Sequence, residues 1–301
     1  MKGVELTRHD TKFINDTTTM MKGEERVYRV PVNVVVPKIG MDQAGVAFND
    51  TLLVGNQPAL YPVAIHYEHI PNITWFRPAV QKVLKLDVKT VGKKIGYITG
   101  AGDKVPQALE QIGYQVVRLN ESDLTAANLQ QFDAIITGVR AYNVNEFLSG
   151  KYKELMAYIK NGGNLIVQYN TNSQIGPVKA KISPYPLNIS RTRITDENAV
   201  VQFDLPNHPA LNYPNKITAK DFEGWIQERS IYHAEQLDSN YAAPISMSDP
   251  GEKPSNGSLV IAKYGKGNFV YTGLVFFREL PAGVAGAYRL MANLIALPKN
   301  K

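Results

Sequence analysis

Short apolar segments alternate with amphipathic segments along the chain from about residue 93 onward. Compact apolar runs of this kind, rich in isoleucine and valine, are typical of strands buried on both faces of a sheet. They predict strands over residues 94–100, 115–119, 133–138 and 164–169. Between these strands, apolar residues at helical spacing predict helices over about residues 105–112, 126–131 and 144–160.

This alternation predicts the fold class. Strands that alternate with amphipathic helices form a mostly parallel sheet with helices on both faces. The expectation is therefore a doubly wound, flavodoxin-like α/β domain. Further along, residues 258–274 predict a β-hairpin that turns at Gly265-Lys266-Gly267, and residues 282–295 predict a final helix.

The region before residue 91 has a different pattern. Residues 1–25 are polar, which predicts a flexible lead-in. Residues 26–90 contain short runs of β-branched and aromatic residues separated by prolines, which predict a small β-rich, sandwich-like domain. The expected division is thus 1–25, 26–90 and 91–301, the last being the α/β domain.

Composition narrows the classes of function. The chain has 33 basic and 27 acidic residues, and this excess of six positive charges is spread evenly, so we expect no nucleic-acid partner. It has no cysteine, which excludes disulfides, zinc–thiolate sites and a cysteine nucleophile. The opening MKGVELTRHD has no apolar core of a signal peptide, and no apolar run is long enough to span a bilayer. We expect a soluble chain.

Ligands of open α/β sheets bind outside the carboxyl ends of the strands, which selects three loops. The first contains Asp103 in GAGDKV, which lacks the third glycine of a dinucleotide-binding turn, so we predict no cofactor. A tight turn with an N-cap and a contribution to an anion or sugar site are both open for this loop. The second and third loops supply hydrogen-bonding side chains, namely Arg140, Tyr142, Asn143, Gln168 and Asn170.

The second and third loops each have two interpretations. Arg140, with its tyrosine and asparagine neighbours, suits a carboxylate, a phosphate or a polyol. It could equally cap carbonyl groups of the adjoining loop. The third loop lies where α/β hydrolytic folds place a nucleophile elbow, yet Gln168-Tyr169-Asn170 contains no competent nucleophile. Its amides could orient a ligand or tie down residues 171–199.

Downstream residues add further candidates. Trp225 could stack on a sugar ring, with Arg229 and Arg278 as further binding residues, although surface ion pairs explain the charged residues equally well. No catalytic set stands out, but three side chains could act in acid–base chemistry: Glu228, His233 and Asp221. The five histidines form no metal-binding motif, so we predict no metal site.

Several long segments resemble one family. The segments are GKKIGYITGAGDKVPQALEQIGYQV, DAIITGVRAYN, NGGNLIVQYNT, ITAKDFEGWIQERSIY and YGKGNFVYTGLVFFRELPAGVAGAYRLMANLIAL. They resemble the C-terminal region of large bacterial PIG-L/LmbE-family deacetylases, over about residues 63–297. In that family, a metal-dependent deacetylase domain is followed by β-rich segments and a class I glutamine amidotransferase-like domain. NGGNLIV, His208-Pro209 and YGKGNFVYTGL are also remotely similar to ThuA-like domains.

The resemblance implies an architecture rather than an activity. The family's zinc-binding His-x-Asp-Asp motif is missing from this chain, so deacetylase chemistry cannot be transferred to any residue. We expect a non-catalytic, ligand-binding accessory module, linked to glycans and serving a PIG-L deacetylase domain in cis or in trans. The alternatives are a hydrolase that uses acid–base carboxylates on a glycan-like substrate, and a structural interaction module. By resemblance, the compartment would be extracytoplasmic.

Overall fold

The computed structural model of the chain describes residues 47–51, 53–54, 57–84, 86–172, 178 and 180–298. All of them belong to one compact unit, Gly45–Lys301. The predicted lead-in (1–25) and the first part of the predicted β-rich domain lie outside the described residues. The predicted division into three parts therefore stays a prediction.

Residues 47–84 contain strands in antiparallel pairs. The pairs are β1 with β6, β2 with β3, and β4 with β5. Their bounds are β1 Ala47–Thr51, β2 Leu53–Val54, β3 Gln57–Pro58, β4 Leu60–Ile65, β5 Ile73–Pro78 and β6 Val80–Leu84. β4 and β5 leave large apolar side chains in solvent, and Phe76 is 63% exposed.

The remaining strands build one large sheet and two small ones. Their bounds are β7 Lys94–Ile98, β8 Gln115–Arg118, β9 Ala134–Thr137, β10 Asn164–Gln168, β11 Asn188–Ile189, β12 Gln202–Phe203, β13 Ala234–Glu235, β14 Tyr241–Ala242, β15 Ile245–Ser246, β16 Leu259–Tyr264 and β17 Gly267–Thr272. The large sheet has the order β14-β16-β17-β10-β9-β7-β8. Its strands β17, β10, β9, β7 and β8 run parallel, and β16 is antiparallel to β17. The small sheets pair β11 with β13 and β12 with β15.

Helices cover both faces of the large sheet. Their bounds are α1 Val105–Gln111, α2 Ala126–Leu129, α3 Ala141–Val144, α4 Tyr152–Lys160, α5 Pro209–Asn212, α6 Phe276–Ala282 and α7 Ala285–Ile295. Short 3-10 turns cover Glu121–Asp123, Glu146–Ser149 and Ala219–Phe222. Apolar residues of α1, α6 and α7 pack in the core on one face, and those of α2 and α4 pack on the other. The predicted doubly wound, mostly parallel α/β fold is confirmed.

One predicted helix is divided, and another begins later than predicted. The predicted helix over 144–160 is wrong in its first part, because α3 ends at Val144. The next residue, Asn145, caps it, and its side-chain amide donates to the carbonyls of Thr99 and Ala141 (2.7 and 3.2 Å). The predicted helix over 282–295 is α7 alone. Gly283 has φ 73°, a left-handed conformation that ends α6 and sets α7 in a new direction.

Candidate functional site

The parallel strands bring four loops to one edge of the sheet. β7, β9, β10 and β17 end at Ile98, Thr137, Gln168 and Thr272, and their pairing aligns these ends. We call this edge the carboxyl edge. In open α/β sheets it is where ligands bind, because the loops that follow the strands can vary without disturbing the core.

The first two loops at this edge are fastened to each other. The Ala101 N–H donates to the Val139 carbonyl (2.8 Å), and the Asp103 carboxylate accepts the Val139 N–H (3.2 Å). Asp103 also accepts the Tyr97 hydroxyl proton at 2.6 and 2.8 Å. A Cβ at Gly100 would lie 2.0 Å from the Val139 carbonyl, so only glycine fits there. Asp103 therefore joins two loops, and its Oδ1 also accepts the Val105 N–H (3.0 Å) at the start of α1, so its oxygens are engaged internally.

The second loop contains a sharp strand-to-helix turn at Arg140. Arg140 has φ 57° and ψ 25°, in the left-handed region, and α3 begins at the next residue. Its N–H donates to the Tyr169 carbonyl (2.8 Å), while its side chain is exposed. Strained strand-to-helix turns are the local geometry of a nucleophile elbow. The sequence predicts that geometry for the third loop, but the described residues after β10 (169–172) do not enter a helix.

Three aromatic rings gather beside this turn. The Tyr169 ring stacks on Tyr232 with centroids 5.7 Å apart and planes inclined by 8°. The Phe277 ring lies 5.4 Å from Tyr169 on a tilted plane. All three side chains are partly exposed. We call these three residues the aromatic cluster. Tyr232 is itself in a left-handed conformation (φ 51°), and the Tyr271 hydroxyl donates to its carbonyl at 2.6 Å.

Charged side chains flank the aromatic cluster. The Arg278 guanidinium lies 4.9 Å from the Phe277 ring centroid, and its Nε donates to Glu228 Oε1 (3.1 Å). Burial raises the pKa of the Tyr169 hydroxyl, and Arg140 and Arg278 oppose that increase electrostatically. Both guanidinium groups therefore act on the same hydroxyl. We call the aromatic cluster together with Arg140, Arg278 and Glu228 the carboxyl-edge site.

Other predicted binding residues hold the loops in place. Tyr142 is buried in the core, and its N–H donates to Asn170 Oδ1 (2.9 Å). The Asn143 amide donates to the Thr171 carbonyl (2.8 Å) and accepts the Thr171 N–H (2.9 Å). The Asn170 amide donates to the Gln168 carbonyl (3.0 Å). The Asn143 and Asn170 side chains are thus engaged within the protein and fasten the second loop to the third.

Gln168 has a buried oxygen without a partner. Its Nε2 donates to the Tyr97 hydroxyl (3.1 Å) and to the Thr137 carbonyl (3.3 Å), but its Oε1 has no partner among the described residues. Thr137 Oγ1 and Ser258 Oγ share this property, and both residues also adjoin strand ends at the carboxyl edge. Buried polar atoms without partners are few in native proteins and concentrate at functional positions.

Trp225 and Arg229 face the protein interior. Trp225 is 3% exposed and donates its indole N–H to the Asp221 carbonyl (2.9 Å). The Arg229 guanidinium donates to the carbonyls of Ala199 and Phe222 and lies near the Phe222 and Trp225 rings. Burial lowers the pKa of Arg229. Neither side chain offers a face to a ligand in solution.

The three candidates for acid–base chemistry do not share contacts. Glu228 pairs with Arg278, while Asp221 accepts from Arg289 Nε (2.7 Å) on α7. The His233 ring nitrogens lie 2.7 Å from Ser230 Oγ and 2.7 Å from Ser255 Oγ. His233 is fully buried, and burial lowers its pKa to about 4, so the ring is neutral at pH 7. Of the three, Glu228 alone lies in the carboxyl-edge site.

Three residues of the site, Tyr169, Tyr232 and Phe277, were not among the candidates that the sequence suggested. Tyr169 lies directly after β10, so its position was a usable signal. Tyr232 and Phe277 come from irregular chain and from the start of α6, and no pattern in the sequence distinguishes them from core aromatics. Within the described ranges, no group of three or more His, Asp or Glu side chains is arranged to hold a metal ion. No described helix is long and apolar enough to cross a membrane.

The solved structures that resemble this chain include three with low sequence identity. No model of a known protein family matches the chain, and no curated protein sequence matches it. A GMP synthase-like protein from Thermoplasma acidophilum is 12% identical, with a TM-score of 0.42 over 69% of this chain and 94% of that one. A ThuA-like protein from Bacteroides uniformis is 14% identical, with a TM-score of 0.42 over 67% of this chain and 89% of that one.

A cold-adapted β-galactosidase from Rahnella sp. R3 is also similar, at 18% identity and a TM-score of 0.42, over 70% of this chain and 32% of the enzyme. Structural neighbours thus include an amidotransferase-like protein and a ThuA-like protein, as the sequence had suggested. Values this low carry no inference about activity, and the fold assignment rests on the sheet itself. The relationship to PIG-L/LmbE deacetylases stays a prediction.

Proposed function

We propose that this chain is a binding module for a carbohydrate-related ligand, which it holds at the carboxyl-edge site without catalysing a reaction. The observation that carries the proposal is the partly exposed aromatic cluster at the edge of the sheet where α/β proteins bind ligands. Aromatic faces offer flat apolar area that suits the C–H faces of a sugar ring. The flanking guanidinium groups of Arg140 and Arg278 would bind its oxygen atoms.

The chemistry of the edge favours binding over catalysis. The strained turn, where a hydrolytic fold would present a serine or cysteine, presents the Arg140 side chain. The chain has no cysteine, and the histidine that contacts serine hydroxyls, His233, is fully buried. Glu228 is engaged by Arg278, and the described contacts supply it with no second acid–base group.

The resemblance to PIG-L/LmbE proteins extends the proposal to a biological role. A module of this kind would hold a glycan close to a deacetylase domain, encoded in the same chain or in a separate one. Its effect would be to raise the local concentration of substrate, as linked binding modules do. This role predicts that binding by the module and turnover by the deacetylase depend on the same glycan.

The test is a glycan-binding measurement with a matched pair of variants. Arg140→Gly removes a guanidinium of the site, and Gln236→Gly relieves a similar left-handed backbone (φ 50°) at an exposed position outside it. We expect the wild-type protein to bind at least one member of a broad glycan array. Calorimetry should then show affinity reduced at least tenfold by Arg140→Gly and unchanged by Gln236→Gly.

Two results would contradict the proposal. One is a folded wild-type protein that binds no glycan on the array, and the other is an equal loss of affinity in both variants. Because β4 and β5 expose apolar residues such as Phe76, sedimentation of the same samples should accompany the assay. Self-association without glycan binding would favour the structural interaction module instead.

A further inference from the structure

We propose that the ligand of the carboxyl-edge site carries a carboxylate group, which binds between the guanidinium groups of Arg140 and Arg278. This inference rests on the proposed binding function and names the chemical class of its ligand as an acidic sugar. Three features of the site support it: the way in which Arg278 is held, the balance of charge around Tyr169, and the strained backbone of three residues.

Arg278 is held with one edge of its guanidinium free. Its Nε donates to Glu228 Oε1 (3.1 Å) and its Nη1 donates to Gln227 Oε1 (2.5 Å), while the group lies over the Phe277 ring. Nη2 has no hydrogen-bond partner in the described part of the chain. A guanidinium fixed in this manner loses little conformational freedom when an anion binds, and its planar donors match the two oxygens of a carboxylate.

The charge near Tyr169 is unbalanced. Two guanidinium groups, Arg140 and Arg278, and a single carboxylate, Glu228, act on the Tyr169 hydroxyl. The Arg140 guanidinium is exposed and has no hydrogen-bond or ion-pair partner among the described residues, whereas its backbone N–H is fixed to the Tyr169 carbonyl at 2.8 Å. A neutral sugar would leave the Arg140 guanidinium without an ion-pair partner. An acidic sugar would supply one.

Strained backbone conformations converge on the same residues. Four residues other than glycine have positive φ in the described ranges: Arg140, Gln227, Tyr232 and Gln236. Of these, Arg140 and Tyr232 belong to the carboxyl-edge site, and Gln227 holds its Arg278. Such conformations persist where the surrounding structure fixes them, and they are concentrated at ligand-binding positions. The strain at Gln227 positions a partner of Arg278, so the fold holds the guanidinium group even without a ligand.

The experiment compares each acidic glycan with its uncharged counterpart. The panel pairs oligogalacturonate, oligoglucuronate and oligomannuronate with their methyl esters, which keep the ring and remove the negative charge. We expect at least one acid to bind the wild-type protein tenfold or more tightly than its ester. Arg140→Gly should abolish that preference, and Gln236→Gly should retain it. Glu228→Gln, which keeps a hydrogen-bond acceptor for Arg278, should tighten acid binding about threefold by removing a competing negative charge.

The possible outcomes distinguish this inference from the proposed function on which it rests. Equal binding of acid and ester overturns the carboxylate assignment and leaves the glycan-binding function standing. Binding of sulfated glycans, tested against their desulfated forms, without binding of uronates assigns the site to sulfate and also overturns it. No binding of acids, esters or any neutral glycan, with folded protein, removes both the inference and the proposed function.

Discussion

Arg140 combines a strained backbone conformation with a guanidinium that has no partner among the described residues. Its left-handed conformation is one that side chains with a Cβ rarely adopt, at a cost of about 1–2 kcal/mol, and glycine adopts it freely. No described residue makes a hydrogen bond or ion pair with its guanidinium to offset that cost. A residue that destabilises its own turn and leaves its charge in solvent fits a role in binding. A residue that only pinned the loop would have its guanidinium on neighbouring carbonyls.

The first stability prediction follows from that strain. Arg140→Gly should stabilise the folded protein by about 0.5–1 kcal/mol, because relief of strain exceeds the added entropy of glycine in the unfolded chain. Gln236→Gly should give a similar gain for the same reason. Urea denaturation of the two variants and the wild type measures both changes. A loss of more than about 1 kcal/mol in Arg140→Gly alone would mean that the guanidinium has a structural role.

At the scale of elements, the sequence predicted strands better than helices. β7, β9 and β10 lie close to their predicted positions, because a strand buried on both faces is a continuous apolar run. The helix ends were missed because they depend on distant or special contacts. Asn145 ends α3 partly through the carbonyl of Thr99, which is remote in sequence, and Gly283 ends α6 through its left-handed conformation.

The residues of the site also differ in whether the sequence could predict them. Arg140 could be predicted, because parallel strands place the loops that follow them at one edge. Phe277 could not, because it enters the site from the start of α6, directly after the buried Phe276, and nothing in the sequence distinguishes it from a core aromatic. Trp225 is the opposite case. The sequence predicts that this aromatic residue, which lies beside carboxylates, stacks on a sugar ring, but packing against Phe222 and Phe276 buries it.

Packing between elements gives a prediction at Gly286, the second residue of α7. A Cβ there would lie 1.8 Å from the carbonyl oxygen of Asp221, in the 3-10 turn that α7 covers. Alanine normally stabilises a helix relative to glycine, but a Cβ at position 286 would push α7 and the 3-10 turn apart. Gly286→Ala should therefore destabilise the protein by about 1–3 kcal/mol in urea denaturation.

The matched control is Gly150→Ala. Gly150 has φ −80°, and an added Cβ would meet only the Phe147 carbonyl, at an ordinary contact distance of 3.5 Å. This variant should change stability by less than about 0.5 kcal/mol or increase it slightly. Equal effects at the two glycines would argue against close contact between α7 and the turn at Asp221.

At the scale of the whole molecule, two buried groups make opposite contributions to pH-dependent stability. Burial raises the pKa of Glu279 from 4.5 to about 7, and burial lowers the pKa of His233 from 6.5 to about 4. Glu279 therefore contributes stability that is complete below pH 4.5 and is lost as the pH rises to 7. His233 contributes stability that is complete above pH 6.5 and is lost as the pH falls to 4. Each amounts to roughly 3 kcal/mol.

Between about pH 4.5 and 6.5 the two contributions offset each other, so the wild-type protein should show little change in stability there. Glu279→Gln retains an acceptor for the Ile226 N–H and removes the ionisable group. In this variant, the His233 contribution is no longer opposed, and stability should rise by about 2–3 kcal/mol from pH 4.5 to 6.5.

At pH 8 the Glu279→Gln variant should be more stable than the wild type by a similar amount, because the wild type must then hold a buried negative charge. Urea denaturation at each pH measures this, with Glu110→Gln on the exposed side of α1 as the control. A variant less stable than the wild type at pH 8 would show instead that an ionised Glu279 supports the loop at Ile226 from which Gln227 and Glu228 reach Arg278.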